Sequence, residues 1–161
     1  MARKPKIPRT SALRMLDRAR VAYTIHQYDY VERGGTAASS SALGVDEHCV
    51  VKTLVFETDA KKPVIVCQHG DRSVSAKSLA RILGCKSTRP CDPTVAQRHS
   101  GYKVGGTSPF GTRKPMPVYV ESSILELDHI YINGGGRGLL VKLSPDVLVE
   151  VAKAEAVRIS T

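Results

Sequence analysis

The four cysteines of this 161-residue chain, Cys49, Cys67, Cys85 and Cys91, include no C-x-x-C pair. That spacing disfavours a zinc ribbon or a thioredoxin-type site. Cys67 and His69 stand two apart, a weak metal signal, so no metal site is expected. Cys49 and Cys67 fall in or beside strand-like runs, where cysteine packs as a small hydrophobe. Reduced thiols in a reducing compartment follow. Neither G-x-x-x-x-G-K-[ST] nor a G-x-G-x-x-G opening a helix occurs, which disfavours kinase-like and dinucleotide-binding chemistry. There is no H-E-x-x-H, and His26, His48, His69, His99 and His129 are scattered without the local signature of a Ser/His/Asp or Cys/His nucleophile. No internal repeat or low-complexity segment is present. No apolar run approaches bilayer length. Met1 to Thr10 is basic but lacks the apolar core of a signal peptide. A cytoplasmic protein without cofactor or membrane anchor is expected.

Acidic residues are also few, 15 against 24 Lys+Arg, for a net charge of +9. The excess is uneven. Residues 1–20 hold seven basic and one acidic residue, and residues 72–114 hold nine and one. The remaining two stretches are mildly acidic. Clustered positive charge of this kind favours polyanionic partners, nucleic acid first, although a solvated basic surface would look the same. The length suits one domain, expected over residues 9–161 behind a flexible basic tail over 1–8.

The pattern along the chain mixes helices and strands without a regular βαβ rhythm, which predicts an α+β fold with a mixed sheet. Thr10 or Ser11 caps a helix with Ala12, Leu13, Met15, Leu16 and Ala19 on its apolar face. A strand is expected over 22–28, and a short helix over 37–43 capped by Thr36 and closed by Gly44. Residues 50–56 and 63–68 read as a hairpin around the polar turn Thr58–Lys62. Helices follow over 75–83, stopped by Gly84, and from Asp92-Pro93 to about His99. Strands near 116–120, 129–132 and 139–143, a helix from Ser144-Pro145 to about Ala154 and a strand over 156–159 complete the reading.

Within the hairpin, Val50-Val51-Lys52-Thr53-Leu54-Val55-Phe56 carries one lysine in an otherwise apolar, β-branched run. An ammonium there must snorkel to an edge or serve a site, because burying it unpaired is costly. Two glycine-rich segments, 104–111 and 133–138, offer backbone N–H groups to an anion or oxyanion, or else make tight turns. A lysine with two glycine segments suggests an electrostatic site without a protein nucleophile.

Taken together, Val51-Lys52-Thr53-Leu54, Gly101-Tyr102-x-Val104-Gly105-Gly106-x-Ser108-Pro109-x-Gly111, and Gly134-Gly135-Gly136-Arg137-Gly138 through Leu143-Ser144-Pro145 stand in a familiar order. So do Thr10-x-Ala12-Leu13 and His26-x-Tyr28. From about residue 8 onward the chain resembles the YbaK/EbsC family of aminoacyl-tRNA deacylases, related to the editing domain inserted in bacterial prolyl-tRNA synthetases. The resemblance implies a barrel-like mixed sheet with helices packed outside. It implies a free-standing trans-editing enzyme that releases wrongly attached amino acids from tRNA, typically cysteine from tRNA(Pro), with prolyl-tRNA synthetase as partner. It implies catalytic roles for Lys52, Gly105 and Gly106, and a pocket lined by Tyr28, Thr53, Ser108, Asn133, Gly134 and Arg137. Several relatives carry serine where Asn133 stands, so the pocket rim differs here. An editing enzyme for alanyl-, seryl- or threonyl-tRNA and a non-catalytic binder of tRNA ends are the alternatives.

Overall fold

The apolar run around Lys52 forms β2 (Val50–Thr58), which turns back into β3 (Pro63–His69) with register from Val51↔His69 to Glu57↔Pro63. This hairpin is the centre of an eight-stranded sheet seen in a computed structural model that describes residues 6–161. The other strands are β1 (Thr24–Gln27), β4 (Thr88–Pro90), β5 (Val118–Glu121), β6 (Ile130–Gly136), β7 (Leu139–Leu143) and β8 (Glu155–Val157). Their order is β1-β7-β6-β2-β3-β5-β8, with β4 also paired to β2. The β2/β6, β3/β5 and β5/β8 pairs are parallel and the rest antiparallel, so the sheet is mixed as expected. It curves without closing into a barrel, because its path ends on β1 and β8. Of the tail expected over 1–8, residues 1–5 lie outside the described residues, and Lys6, Ile7 and Pro8 are exposed coil.

Among the described residues, five α-helices cover the sheet: α1 (Ser11–Arg18), α2 (Gly35–Leu43), α3 (Ala76–Leu83), α4 (Pro93–Ser100) and α5 (Asp146–Glu150). None is long and apolar enough to cross a membrane. Thr10 caps α1 by accepting from Leu13 N–H at 3.1 Å, and Leu13 and Leu16 on its apolar face join Ile132, Leu139 and Val141 in the main core. Gly44 and Gly84 end α2 and α3 in the left-handed region at φ 66° and 68°, as their positions predicted.

Several expectations need correction. Thr36 does not cap α2; the helix starts at Gly35, and the Thr36 hydroxyl donates to Glu47 Oε2 at 2.7 Å instead. The second glycine segment is not a loop. β6 runs through it to Gly136, with a register shift between Asn133 and Gly136, and only Arg137-Gly138 turns. The Asn133 amide permits this by accepting from Gly135 N–H and Gly136 N–H at 2.7 and 3.0 Å, which ties off a bulge. The expected helix to Ala154 stops at Glu150. β4 was not anticipated, since a three-residue edge strand carries no periodic signal.

The C-terminus is pinned by Glu121 at the end of β5. Its Oε1 accepts from Ile159 N–H and Ser160 N–H, both at 2.9 Å, and from the Ser160 hydroxyl at 2.8 Å. Burial pushes the Glu121 carboxyl up, but these hydrogen bonds outweigh it and hold it below the ordinary glutamate value. A carboxyl depressed in the folded state stabilises it above the unfolded value and loses that contribution as pH falls through the folded one. Glu121→Ala therefore costs about 1–3 kcal/mol for each buried donor it orphans. Glu121→Gln should cost less at neutral pH and flatten the acid limb of a melting-temperature profile. An unchanged acid limb in Glu121→Gln would contradict the assignment.

Candidate functional site

β2 is paired along nearly its whole length with β3, but its other edge is interrupted. There β6 pairs only Val50 and Val51, and β4 only Phe56 to Thr58. The Val50 carbonyl accepts from Gly70 N–H on the β3 side, and the Val55 carbonyl accepts from Cys91 N–H on the other. Strand alternation thus turns the Thr53 N–H and C=O into the gap, where no strand pairs with them. The Thr53 hydroxyl is buried beside the Cys67 thiol and has no nitrogen or oxygen partner among the described residues. Over this gap lies a cavity of ≈ 620 Å³, bounded by β2, by the 28–39 stretch, by the start of α4 and by both glycine segments. Helix α2 can approach β2 closely because it is built almost wholly of Gly, Ala, Ser and Thr; its buried Ser39 and Ser40 bond back to their own helix.

Lys52 is half-buried in this cavity, and its Nζ donates to the Gly70 carbonyl at 3.4 Å. Burial pushes its pKa down, while the negative charges of Glu47 and Asp71 act in the opposite direction. The Thr36 hydroxyl, whose proton goes to Glu47, lies 3.2 Å from the same Gly70 carbonyl. A turn carbonyl and two nearby carboxylates therefore hold an ammonium against an apolar strand. That places a positive donor in a partly buried cavity, an arrangement able to stabilise a developing oxyanion.

The two glycine segments meet at the cavity mouth. Gly105 has φ 90°, and a Cβ there would sit 2.6 Å from the Tyr30 hydroxyl. A Cβ on Gly106 would meet the Arg137 backbone nitrogen at 2.9 Å, so the segments touch backbone to backbone. Asn133 Nδ2 donates to Gly105 O and Gly136 O at 3.1 and 3.0 Å, stapling one segment to the other. Arg137 Nε donates to Val104 O at 3.0 Å, and its guanidinium lies 4.9 Å from the centre of the Tyr30 ring.

Of the residues singled out in the sequence, Lys52, Gly105, Tyr28, Thr53, Asn133 and Arg137 line this one cavity. Burial pushes the Tyr28 phenol up. Gly106, Ser108 and Gly134 lie outside the lining. Gly106 N–H donates to Lys103 O, Ser108 Oγ accepts from Phe110 N–H, and the Gly134 carbonyl accepts from the Thr10 hydroxyl beneath α1. Tyr30, Thr36, Ser39 and Gly70 shape the site and were not anticipated. Tyr30 was within reach, because it continues the alternation His26, Tyr28. The Lys52–Gly70 contact joins residues 18 apart and left no local signal. Cys67 is buried and burial pushes its thiol up to about 12, as suits a packing residue.

Comparison with known proteins shows the family and the fold. A family model described as an aminoacyl-tRNA editing domain matches residues 33–151. The chain is 27% identical, over all of its length and 99% of the relative's, to EbsC of Enterococcus faecalis, named for Cys-tRNA(Pro)/Cys-tRNA(Cys) deacylase activity. It is 32% identical to a stretch of the proline–tRNA ligase of Nitratidesulfovibrio vulgaris, covering 61% of this chain and 17% of that enzyme. A crystal structure of a protein described as a trans-editing enzyme for prolyl-tRNA synthetase superposes with a TM-score of 0.82 at 19% identity, covering 97% of this chain and 99% of that one. With a family model matched over most of its length, the chain belongs to the aminoacyl-tRNA editing domain family.

Proposed function

We propose that the Lys52 cavity receives the 3′-terminal aminoacyl-adenosine of a mischarged tRNA and cleaves its ester, with cysteine on tRNA(Pro) as substrate and the substrate's own thiol as nucleophile. The observation that carries the reading is the half-buried Lys52 ammonium lining the same cavity as the stretch of β2 left unpaired between β6 and β4. Family membership supports the reaction class, aminoacyl-tRNA deacylation. The likeness to EbsC supports cysteine, and the likeness to proline–tRNA ligases supports prolyl-tRNA synthetase as the partner that delivers the tRNA.

In this scheme the substrate sulfur attacks its own carbonyl carbon, and the oxygen becomes an oxyanion held by Lys52 and the Thr53 N–H. The carbon–oxygen bond to the ribose then breaks. The proton lost by the thiol ends on the ribose hydroxyl, and the amino acid leaves as a thiolactone that water opens to cysteine. No activated protein nucleophile is needed, because the site holds thiol and carbonyl close. Size alone would separate cysteine from proline by only ~1–3 kcal/mol per methylene. A reaction that requires a thiol supplies the missing selectivity.

Alkylating the thiol of Cys-tRNA(Pro) should lower the rate by more than about 10³, the order expected when a well-placed intramolecular group is lost. Thiolactone should be the first product from the free thiol. Full-rate cleavage of alkylated substrate would make water the nucleophile and sink the thiol-assisted step.

A further inference from the structure

Beyond the Gly70 turn lies a second cavity, of ≈ 460 Å³, lined by His48, His69, Arg72, Ser122, Ser123 and Arg158, with Glu121 and Ser160 completing it. The imidazole and carboxylate groups in and beside it are already engaged. His69 Nδ1 faces the His48 carbonyl at 2.7 Å; a carbonyl only accepts, so Nδ1 carries the proton and Nε2 takes the Ser123 hydroxyl, also at 2.7 Å. Asp71 Oδ1 is bound by His48 Nδ1 at 2.9 Å, and the two imidazoles stack 3.8 Å apart. Glu121 Oε1 is filled by Ile159 and Ser160, and Oε2 faces the Ser122 hydroxyl at 3.4 Å.

What remains free are two guanidinium groups. Among the described residues, Arg72 and Arg158 make no ion pair and no side-chain hydrogen bond. A cavity whose imidazole and carboxylate groups are engaged within the protein, and whose two guanidiniums have no hydrogen-bond partner among the described residues, fits a tetrahedral oxoanion. It does not fit a cation, although ligand atoms of His48, His69 and Asp71 lie within 4.8 Å of one another. Both His69 ring nitrogens are engaged, and two positive charges border the space.

The Gly70 turn links the two cavities along the chain. His69 immediately precedes Gly70, whose carbonyl holds Lys52, and His48 lies at the entry to β2. We propose that the second cavity takes a backbone phosphate of the tRNA whose terminal adenosine occupies the first. Arg72 and Arg158, both exposed on the cavity lining, grip the phosphate. The source of the phosphate rests on the deacylase reading; the oxoanion chemistry does not.

The test is the double variant Arg72→Gln/Arg158→Gln against wild type. In ³¹P NMR, wild type should broaden the inorganic phosphate line and the variant should not. With cysteinyl-tRNA, the variant's KM should rise about tenfold or more at unchanged kcat, the ordinary worth of a charge-assisted hydrogen bond. With 3′-cysteinyl-adenosine, which has no backbone phosphate, the two proteins should be equal. For uncharged tRNA, the slope of log Kd against log salt should fall by about 0.7, the value for one single-strand phosphate contact. Phosphate binding with an unchanged tRNA slope would overturn the tRNA assignment. Absence of phosphate broadening by wild type would overturn the site itself. If no aminoacyl substrate is cleaved, the deacylase reading fails, and the tRNA salt slope still decides the site.

Discussion

Lys52→Ala lowers single-turnover deacylation by ~10²–10³, the cost of removing one preorganised oxyanion donor. The fold should survive, because the lost ammonium is half-buried and makes only a 3.4 Å contact to a turn carbonyl. Trading a partly desolvated charge for a methyl group leaves stability nearly unchanged or slightly raised. Lys52→Arg should fail almost as badly. Its planar fork needs more room beside Gly70 and Thr36 than a compact ammonium does. Rates near wild type in either variant, with melting temperatures unchanged, would remove Lys52 from the chemistry.

Gly70→Ala should injure both the fold and the site. A Cβ there would lie 2.6 Å from Thr36 Oγ1, 2.7 Å from Val50 O and 2.8 Å from Glu47 O. Two of those neighbours are backbone carbonyls and cannot rotate away. Overpacking of this kind costs about 3 kcal/mol at the upper end of its usual range. In a domain of this size that is about 6–12 °C in melting temperature. The shifted turn also moves the carbonyl that holds Lys52, so residual folded protein should be slow. Gly136→Ala is the matched control. Its Cβ would meet only Leu139 at ordinary contact distances of 3.7 and 3.8 Å. Equal melting temperatures for the two variants would contradict the packing described around Gly70.

Much of this was legible in the sequence because it is local. A lone lysine in a β-branched run marked β2, Asp92-Pro93 marked the start of α4, and glycines at 44 and 84 marked left-handed helix ends. The fold class followed from the same order of elements. The gap in the β2 edge was not legible, since it opens where the β6 pairing ends at Val51 and the β4 pairing begins only at Phe56. The glycines of 133–138 read as a loop because nothing local shows that the Asn133 amide would hold them in a strand. The five histidines read as isolated, yet the His48 and His69 rings stack across 21 positions of sequence. Contacts of that separation depend on register, and register is set by the whole sheet.

The most direct test is deacylation of a panel of mischarged tRNAs by the wild-type protein: cysteine and alanine on tRNA(Pro), serine and threonine on tRNA(Ala) and tRNA(Thr), with correctly charged Pro-tRNA(Pro) as reference. Cys-tRNA(Pro) should be cleaved fastest and Pro-tRNA(Pro) should remain intact. Preferential cleavage of an alanyl, seryl or threonyl ester would move the protein to a sister editing branch. Failure to cleave any member of the panel would contradict the deacylase account of the Lys52 cavity.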